Sequence, residues 1–260
     1  MEKQGISRFL HYEADYQTLS YCRKWTGKML WLVAGLSVIL PLIPYLGITV
    51  IYNIFNCMYF ILIILYYVVD MYTETFLYPA TARKRRKGFI DNSLGSKFLD
   101  KQVKGYYSND SLEYGPFKML VNCGENCFFT LNIAKKMIPS VILKNVIAGI
   151  GFLIVAYVGI RDNLIAIPIL QILLSALFFT EMIHHFNFIA KLNQIYERIQ
   201  ELFCNKVKED TMLQEAVLIF LDYETTLAYN KAPLSDFVYK AENKRLTAEW
   251  EEIKRRYEIL

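Results

Sequence analysis

Charge is missing from two long stretches of this chain. Met29–Val69 hold no Asp, Glu, Lys or Arg, and Ile138–Phe186 hold only Lys144, Arg161, Asp162 and Glu181. Each stretch exceeds the roughly 20 apolar residues that cross a bilayer as one helix, and each suits two. Histidine is also scarce. With three in the whole chain, a hydrolytic triad has little to be built from. A Gly-rich phosphate loop, an HExxH pair, a nucleophile elbow and the paired Asp cluster of a lipid phosphotransferase are all absent, so the expectation is a protein that is not an enzyme. The five cysteines are an odd number at irregular spacings and imply no disulfide framework. Cys123-Gly-Glu-Asn-Cys127 is a lone CxxxC without the four ligands of a structural zinc site, so no metal and no cofactor are expected.

What is present is apolar and divided by turns. A chain that is 54% hydrophobic and only 21% charged carries more apolar surface than a soluble domain of its size usually buries. The expected fold is an all-α membrane protein, with four transmembrane helices in two hairpins and a helical cytoplasmic lobe. The first span covers about Lys28–Pro44 and the second about Ile48–Asp70, with Pro41-Leu-Ile-Pro-Tyr-Leu-Gly47 reversing the chain. The third covers about Ile138–Ile160 and the fourth about Leu164–Phe186, joined at Arg161-Asp162-Asn163. His11-Tyr-Glu-Ala-Asp-Tyr is polar and acidic where a cleaved signal needs a basic start and an apolar core, so the first span is expected to stay as an anchor.

Cations orient the set. Pro79–Met137 carry eleven Lys/Arg against five Asp/Glu, and the first 28 residues carry five against three, whereas the two hairpin turns are almost uncharged. The positive-inside rule then faces both turns outward and both termini to the cytoplasm of a bacterial inner membrane. Trp25 and Trp31 flank the start of the first span, and Tyr66-Tyr67, Tyr72 and Tyr78 the exit of the second, as interfacial rings do.

The cytoplasmic parts are 1–27, 79–137 and 187–260. The middle one opens on Ala82-Arg-Lys-Arg-Arg-Lys-Gly88, with Asn, Gly and Ser clusters suggesting loop beyond it and a short helix expected over Gly115–Ala134. In the last part Ile189, Leu192, Ile195, Ile199 and Leu202 recur at helical spacing, so the fourth span should run on as an amphipathic helix. Met212–Ala228 should form a second helix and Leu246–Tyr257 a third, capped by Thr247 and closed by Lys254-Arg-Arg256.

The basic run Arg83, Lys84, Arg85, Arg86 and Lys87 has three readings. It is a topology-fixing patch on anionic lipid, a site for a phosphorylated ligand, or a nucleic-acid contact, the last disfavoured by its shortness and its tie to the membrane. Asn92, Ser93, Ser108 and Asn109 offer hydrogen bonds beside Phe89, Tyr106 and Tyr107, the mixture a nucleotide pocket needs, although turn chemistry and packing use the same residues. Asp70 and Glu74 lie one turn apart where the second span ends, and Lys144 and Glu181 are ionisable residues within the third and fourth spans. Lys144 either snorkels to the cytoplasmic surface or pairs with Glu181. Glu181 and His185 stand at i, i+4, too few for a metal site.

Ala82-Arg-Lys-Arg-Arg-Lys-Gly-Phe-Ile-Asp-Asn-Ser-Leu-Gly95 and Gly105-Tyr-Tyr-Ser-Asn-Asp110, with Tyr223-Glu-Thr-Thr-Leu-Ala and Leu246-Thr-Ala-Glu-Trp-Glu-Glu-Ile-Lys254, resemble the four-transmembrane effectors associated with SMODS-type nucleotidyltransferases in bacterial CBASS antiphage systems. That resemblance implies a cytosolic site for a cyclic di- or trinucleotide second messenger made by a partner synthase. It further implies homo-oligomers whose spans then compromise the inner membrane and kill the infected cell. On it, Arg83–Lys87 would hold phosphates, and Asp91, Asn92, Tyr106, Tyr107 and Asn109 would contact bases or ribose. The rival expectation is a membrane scaffold whose tail recruits a soluble partner.

Overall fold

The computed structural model describes residues 13–40, 43, 49–100, 107–161, 166–205, 208–230 and 234–259, and at 38, 49–51, 151, 152, 209 and within 154–179 the backbone only. The expected turns at Pro41–Gly47 and Arg161–Asn163, apart from Ile43 and Arg161, lie outside the described residues, as do Tyr106 and Pro233. Every described element is helical: α1 (Glu13–Ile39), α2 (Thr49–Tyr72), a π-helical turn (Thr73–Leu77), α3 (Tyr78–Leu94), α4 (Pro116–Arg161), α5 (Ala166–Cys204), α6 (Glu209–Asn230) and α7 (Asp236–Arg256). Among the described residues one stretch, Tyr52–Leu94, is long and apolar enough to cross a membrane. Its most apolar window has a mean hydropathy of 1.9, and 6% of that window is buried.

The chain forms two compact units, one of Lys87–Asn145 with Phe179–Leu260 and one of His11–Arg86 with Val146–Phe178. In the second of these, α1 and α2 meet around Val33, Leu40 and Tyr59. Arg23 on α1 grips Glu74 with two hydrogen bonds of 2.8 and 3.0 Å and lies 4.9 Å from the centre of the Tyr78 ring. Glu74 falls within the π turn, whose extra residue per turn shifts the register of everything beyond it. The outer surface of α2, including Ile54, Met58, Ile61, Ile64 and Val68, is exposed apolar side chain, a surface suited to lipid and not to water.

The other unit is a four-helix lobe with a dense aromatic and aliphatic core. Ile189, Leu192, Ile195, Ile199 and Leu202, the stripe of α5 that the periodicity predicts, are buried, and Phe188 joins them. Facing it are Leu120, Cys123, Cys127 and Leu131 of α4, Ala216, Ile219 and Tyr223 of α6, and Leu246 and Trp250 of α7. Phe89 at the end of α3 stacks on Phe220 with ring centroids 4.8 Å apart and planes at 10°. Burial drives the Cys127 thiol upward, which leaves it an inert core group bonded to the Leu192 carbonyl.

At Gly124, α4 packs closely against side chains of α5 and α7. A Cβ there would stand 3.2 Å from the Trp250 ring and 3.3 Å from Ile199. Gly124→Val therefore forces Trp250 aside, at a cost on the order of 1–3 kcal/mol. The expected result is a lower thermal midpoint together with red-shifted tryptophan emission.

The helix ends correct two sequence expectations. α7 begins at Asp236, where Ser235 accepts a hydrogen bond from Val238 N, while Thr247 sits mid-helix and donates back to the Asn243 carbonyl. α4 does not stop near Ala134 but continues through Pro139, which has no N–H for the Lys135 carbonyl. At the far end of α7 the basic turn Lys254–Arg256 is followed by Glu258 in a left-handed conformation (φ 54°) and a bond from Ile259 N to the Lys254 carbonyl, so that Ile259 is buried.

Candidate functional site

The polar residues expected to bind ligand are mostly interior. Asp91, Asn92, Ser93 and Asn109 are buried, with Asp91, Ser93 and Asn109 fully so. The Asp91 carboxylate accepts Ser96 Oγ at 2.6 Å and the N–H groups of Phe98 and Leu99 at 2.8 Å, tying down the loop after α3. That loop can turn there because Gly95 adopts φ 71°. Asn92 and Ser93 accept the two protons of the Asn122 amide, at 2.9 and 3.0 Å. The Asn122 oxygen accepts from Asn109, which also donates to Glu125 at 2.7 Å.

Beyond Glu125 the network reaches α7. Glu125 accepts weakly from the Ser108 backbone N–H, and Lys254, 1% exposed, donates to the Ser108 carbonyl and hydroxyl at 3.1 and 3.2 Å while pairing with Glu251. Burial pushes Glu125 up to about 7, against the opposing pull of the Ser108 and Asn109 bonds and the Lys254 charge. Tyr107 is buried edge-on against Phe89, and its hydroxyl accepts from Asn126. A contact to a base or ribose needs a group that solvent can reach. Asp91 is placed instead as the anchor of the loop after α3, and Asn92, Tyr107 and Asn109 as hydrogen-bonding partners of α4.

The basic run stands differently. Arg83, Lys84 and Lys87 are exposed on α3, Arg85 and Arg86 half-buried, and Lys84 pairs with Asp15 at 2.6 Å. Arg83 and Lys87, four apart, present their charges on one helix face. Asp70 is half-buried, and Glu74 is held by Arg23. Lys144 pairs with Glu181, which is the alternative to snorkelling. His185 is buried and bonds the Ala134 carbonyl through Nε2, at 2.9 Å. Among the described residues no cluster of three His, Cys, Asp or Glu is placed to hold a metal.

Sequence reasoning missed a recess of about 480 Å³ between α5 and α6. Its floor is Ile195 and Ile219, and Lys191, Gln194, Arg198, Asp222, Thr225 and Tyr229 line it. Arg198 is steadied by Glu215 at 2.9 Å, and Asn187 bonds Asn230 across one end. The signal was there as polar residues at 187, 191, 194 and 198, beside the α5 apolar stripe, but such a flank is also what any solvated helix face carries. No family model, curated protein or solved structure matches the chain.

Proposed function

We propose that the protein is a ligand-gated effector of the bacterial inner membrane, multi-pass with both termini cytoplasmic, that acts without a catalytic step of its own. The observation that carries this reading is the order of surfaces along one stretch of chain. The apolar and outwardly exposed α2 is followed, past the π turn, by α3 with its exposed cations. In this reading the apolar lengths of α1, α2, α4 and α5 are four spans. The trigger is a cyclic di- or trinucleotide, in line with the resemblance of the 82–95 and 105–110 strings, and its binding drives homo-oligomers that permeabilise the membrane in antiphage defence. The ligand shifts the spans only as far as its affinities for two arrangements differ.

Two places offer phosphate-binding cations: the α3 face with Arg83 and Lys87, and the α5–α6 recess with Lys191 and Arg198. The test is dye leakage from proteoliposomes across a panel of cyclic nucleotides. Leakage set off by one member names the ligand. R83A/R85A/R86A is then expected to abolish the response with insertion intact. A full response from that variant, lost instead in K191A, would move the ligand to the recess. No leakage with any member, from inserted and folded protein, removes the gated-effector reading.

A second reading, a scaffold that recruits a soluble partner, is favoured by the apolar stripe Leu213, Val217 and Leu221 on the outer face of α6, 38–52% exposed. A stoichiometric cytosolic partner, lost in L213S/L221S, would support it.

A further inference from the structure

We infer that the end of α6 and the first turn of α7 form a membrane-surface anchor, in which Tyr229 and Phe237 enter the headgroup layer of the bilayer. Tyr229 and Phe237, at 74% and 81%, are the two most exposed large hydrophobic side chains among the described residues. They flank the same helix-to-helix junction, and neither is at a position that the lobe covers.

Their neighbours fix their level. The Tyr229 ring contacts the His184 ring, with centroids 6.2 Å apart, and Asn230 bonds Asn187. Those α5 residues bracket Phe186, where the fourth apolar stretch ends. Ser235, one residue before α7, donates its N–H to Met137 Sδ at 3.3 Å, and Met137 directly precedes Ile138, where the third apolar stretch begins. The end of α6 and the start of α7 are thus each held at the point where α5 and α4 turn apolar. The exposed Ile183 and Phe186 of α5 continue the apolar surface on one side.

Amphipathic aromatic rings at such a boundary have their apolar bodies in the acyl margin and their polar tips among headgroups. Lys240, exposed one turn beyond Phe237, and Lys136, paired with Glu242, put cations where lipid phosphates lie. Asp236 belongs to the positive first turn of α7 and does not oppose this placement. α7 then leaves the surface, since Glu242 meets Lys136 and Trp250 packs against Phe128, progressively further back along α4.

The inference rests on the reading that α4 and α5 span the bilayer, and its test separates the two. Single cysteines replace Tyr229, Phe237, Leu153 (inside the third apolar stretch, four residues past its midpoint) and Glu252 (exposed, about 22 Å along α7 from Phe237), with Cys22, Cys57 and Cys204 changed to serine. Each carries an environment-sensitive fluorophore in vesicles of phosphatidylethanolamine and phosphatidylglycerol doped with shallow or deep nitroxide lipid. Y229C and F237C should be quenched several-fold more by the shallow nitroxide than by the deep one, L153C more by the deep one, and E252C by neither. Quenching at L153C with none at 229 or 237 overturns the anchor and leaves the spans standing. Protection of 229 and 237 from both nitroxide lipid and aqueous iodide also overturns it, because protein then covers them. No quenching at L153C removes the spanning reading and the anchor with it.

Discussion

Asn122→Leu should lower the thermal midpoint of the detergent-solubilised protein by roughly 10 °C, although it exchanges one interior side chain for another of similar size. Asn122 is fully buried, and its amide serves three partners at once: Asn92, Ser93 and Asn109. Leucine supplies none of those bonds. Asn109 keeps Glu125, but the Asn92 oxygen and the Ser93 hydroxyl lose their donor in a place water does not reach. A buried polar group left without a partner costs about 1–3 kcal/mol, so two amount to an order of 3 kcal/mol, and each kcal/mol is worth about 2–4 °C in a chain of this size. Asn92→Ala removes a single acceptor and leaves half of the Asn122 amide unbonded, so it should cost less. An N122L protein that melted with the parent would mean that the network is opened and hydrated in solution.

The same network explains why this region was only half legible in the sequence. The stripe of α5 was readable because Leu192, Ile195, Ile199 and Leu202 repeat at a period that only one helix face can satisfy. The cluster Asp91-Asn-Ser93 was not, because those residue types favour turns through bonds to their own backbone. Here Asn92 and Ser93 turn to Asn122, some thirty residues away in sequence, and α3 continues to Leu94 before Gly95 ends it. No local signal carries that pairing. The start of α7 failed for a related reason: Lys240 to Arg245 is largely polar and exposed, so the apolar pattern faded between Val238 and Leu246. The site residues divide likewise. Arg83, Lys84 and Lys87 are exposed as charge density alone suggests, while Arg85 and Arg86 are half-buried. Whether an aromatic or amide faces solvent or core depends on contacts such as Phe89 on Phe220, which neither segment announces.

Glu125 should give the lobe a stability that falls as pH rises from about 4.5 to about 7. Its carboxyl has a folded value of about 7 against 4.5 for the free side chain. Between those limits the folded lobe holds a proton that the unfolded chain has released, so raising the pH favours unfolding. The contribution is fully present below about 4.5 and lost as pH passes the folded value. A shift of this size corresponds to a total on the order of 3 kcal/mol. The groups around the carboxyl are Ser108, Asn109 and the Lys254 ammonium, itself engaged by Glu251, and all act to hold the value lower; burial outweighs them. Glu125→Gln cannot ionise, so its midpoint should change less with pH than the parent's across this window. Its absolute stability should drop, since with the amide oxygen left to accept from Asn109 the new NH2 faces the Ser108 N–H, donor against donor, where a carboxylate oxygen now accepts. The comparison that decides is the slope: thermal midpoints of parent and E125Q from pH 4.5 to 8, with parallel curves meaning that the carboxylate is already ionised in the folded lobe and that Lys254 and the two donors outweigh its burial.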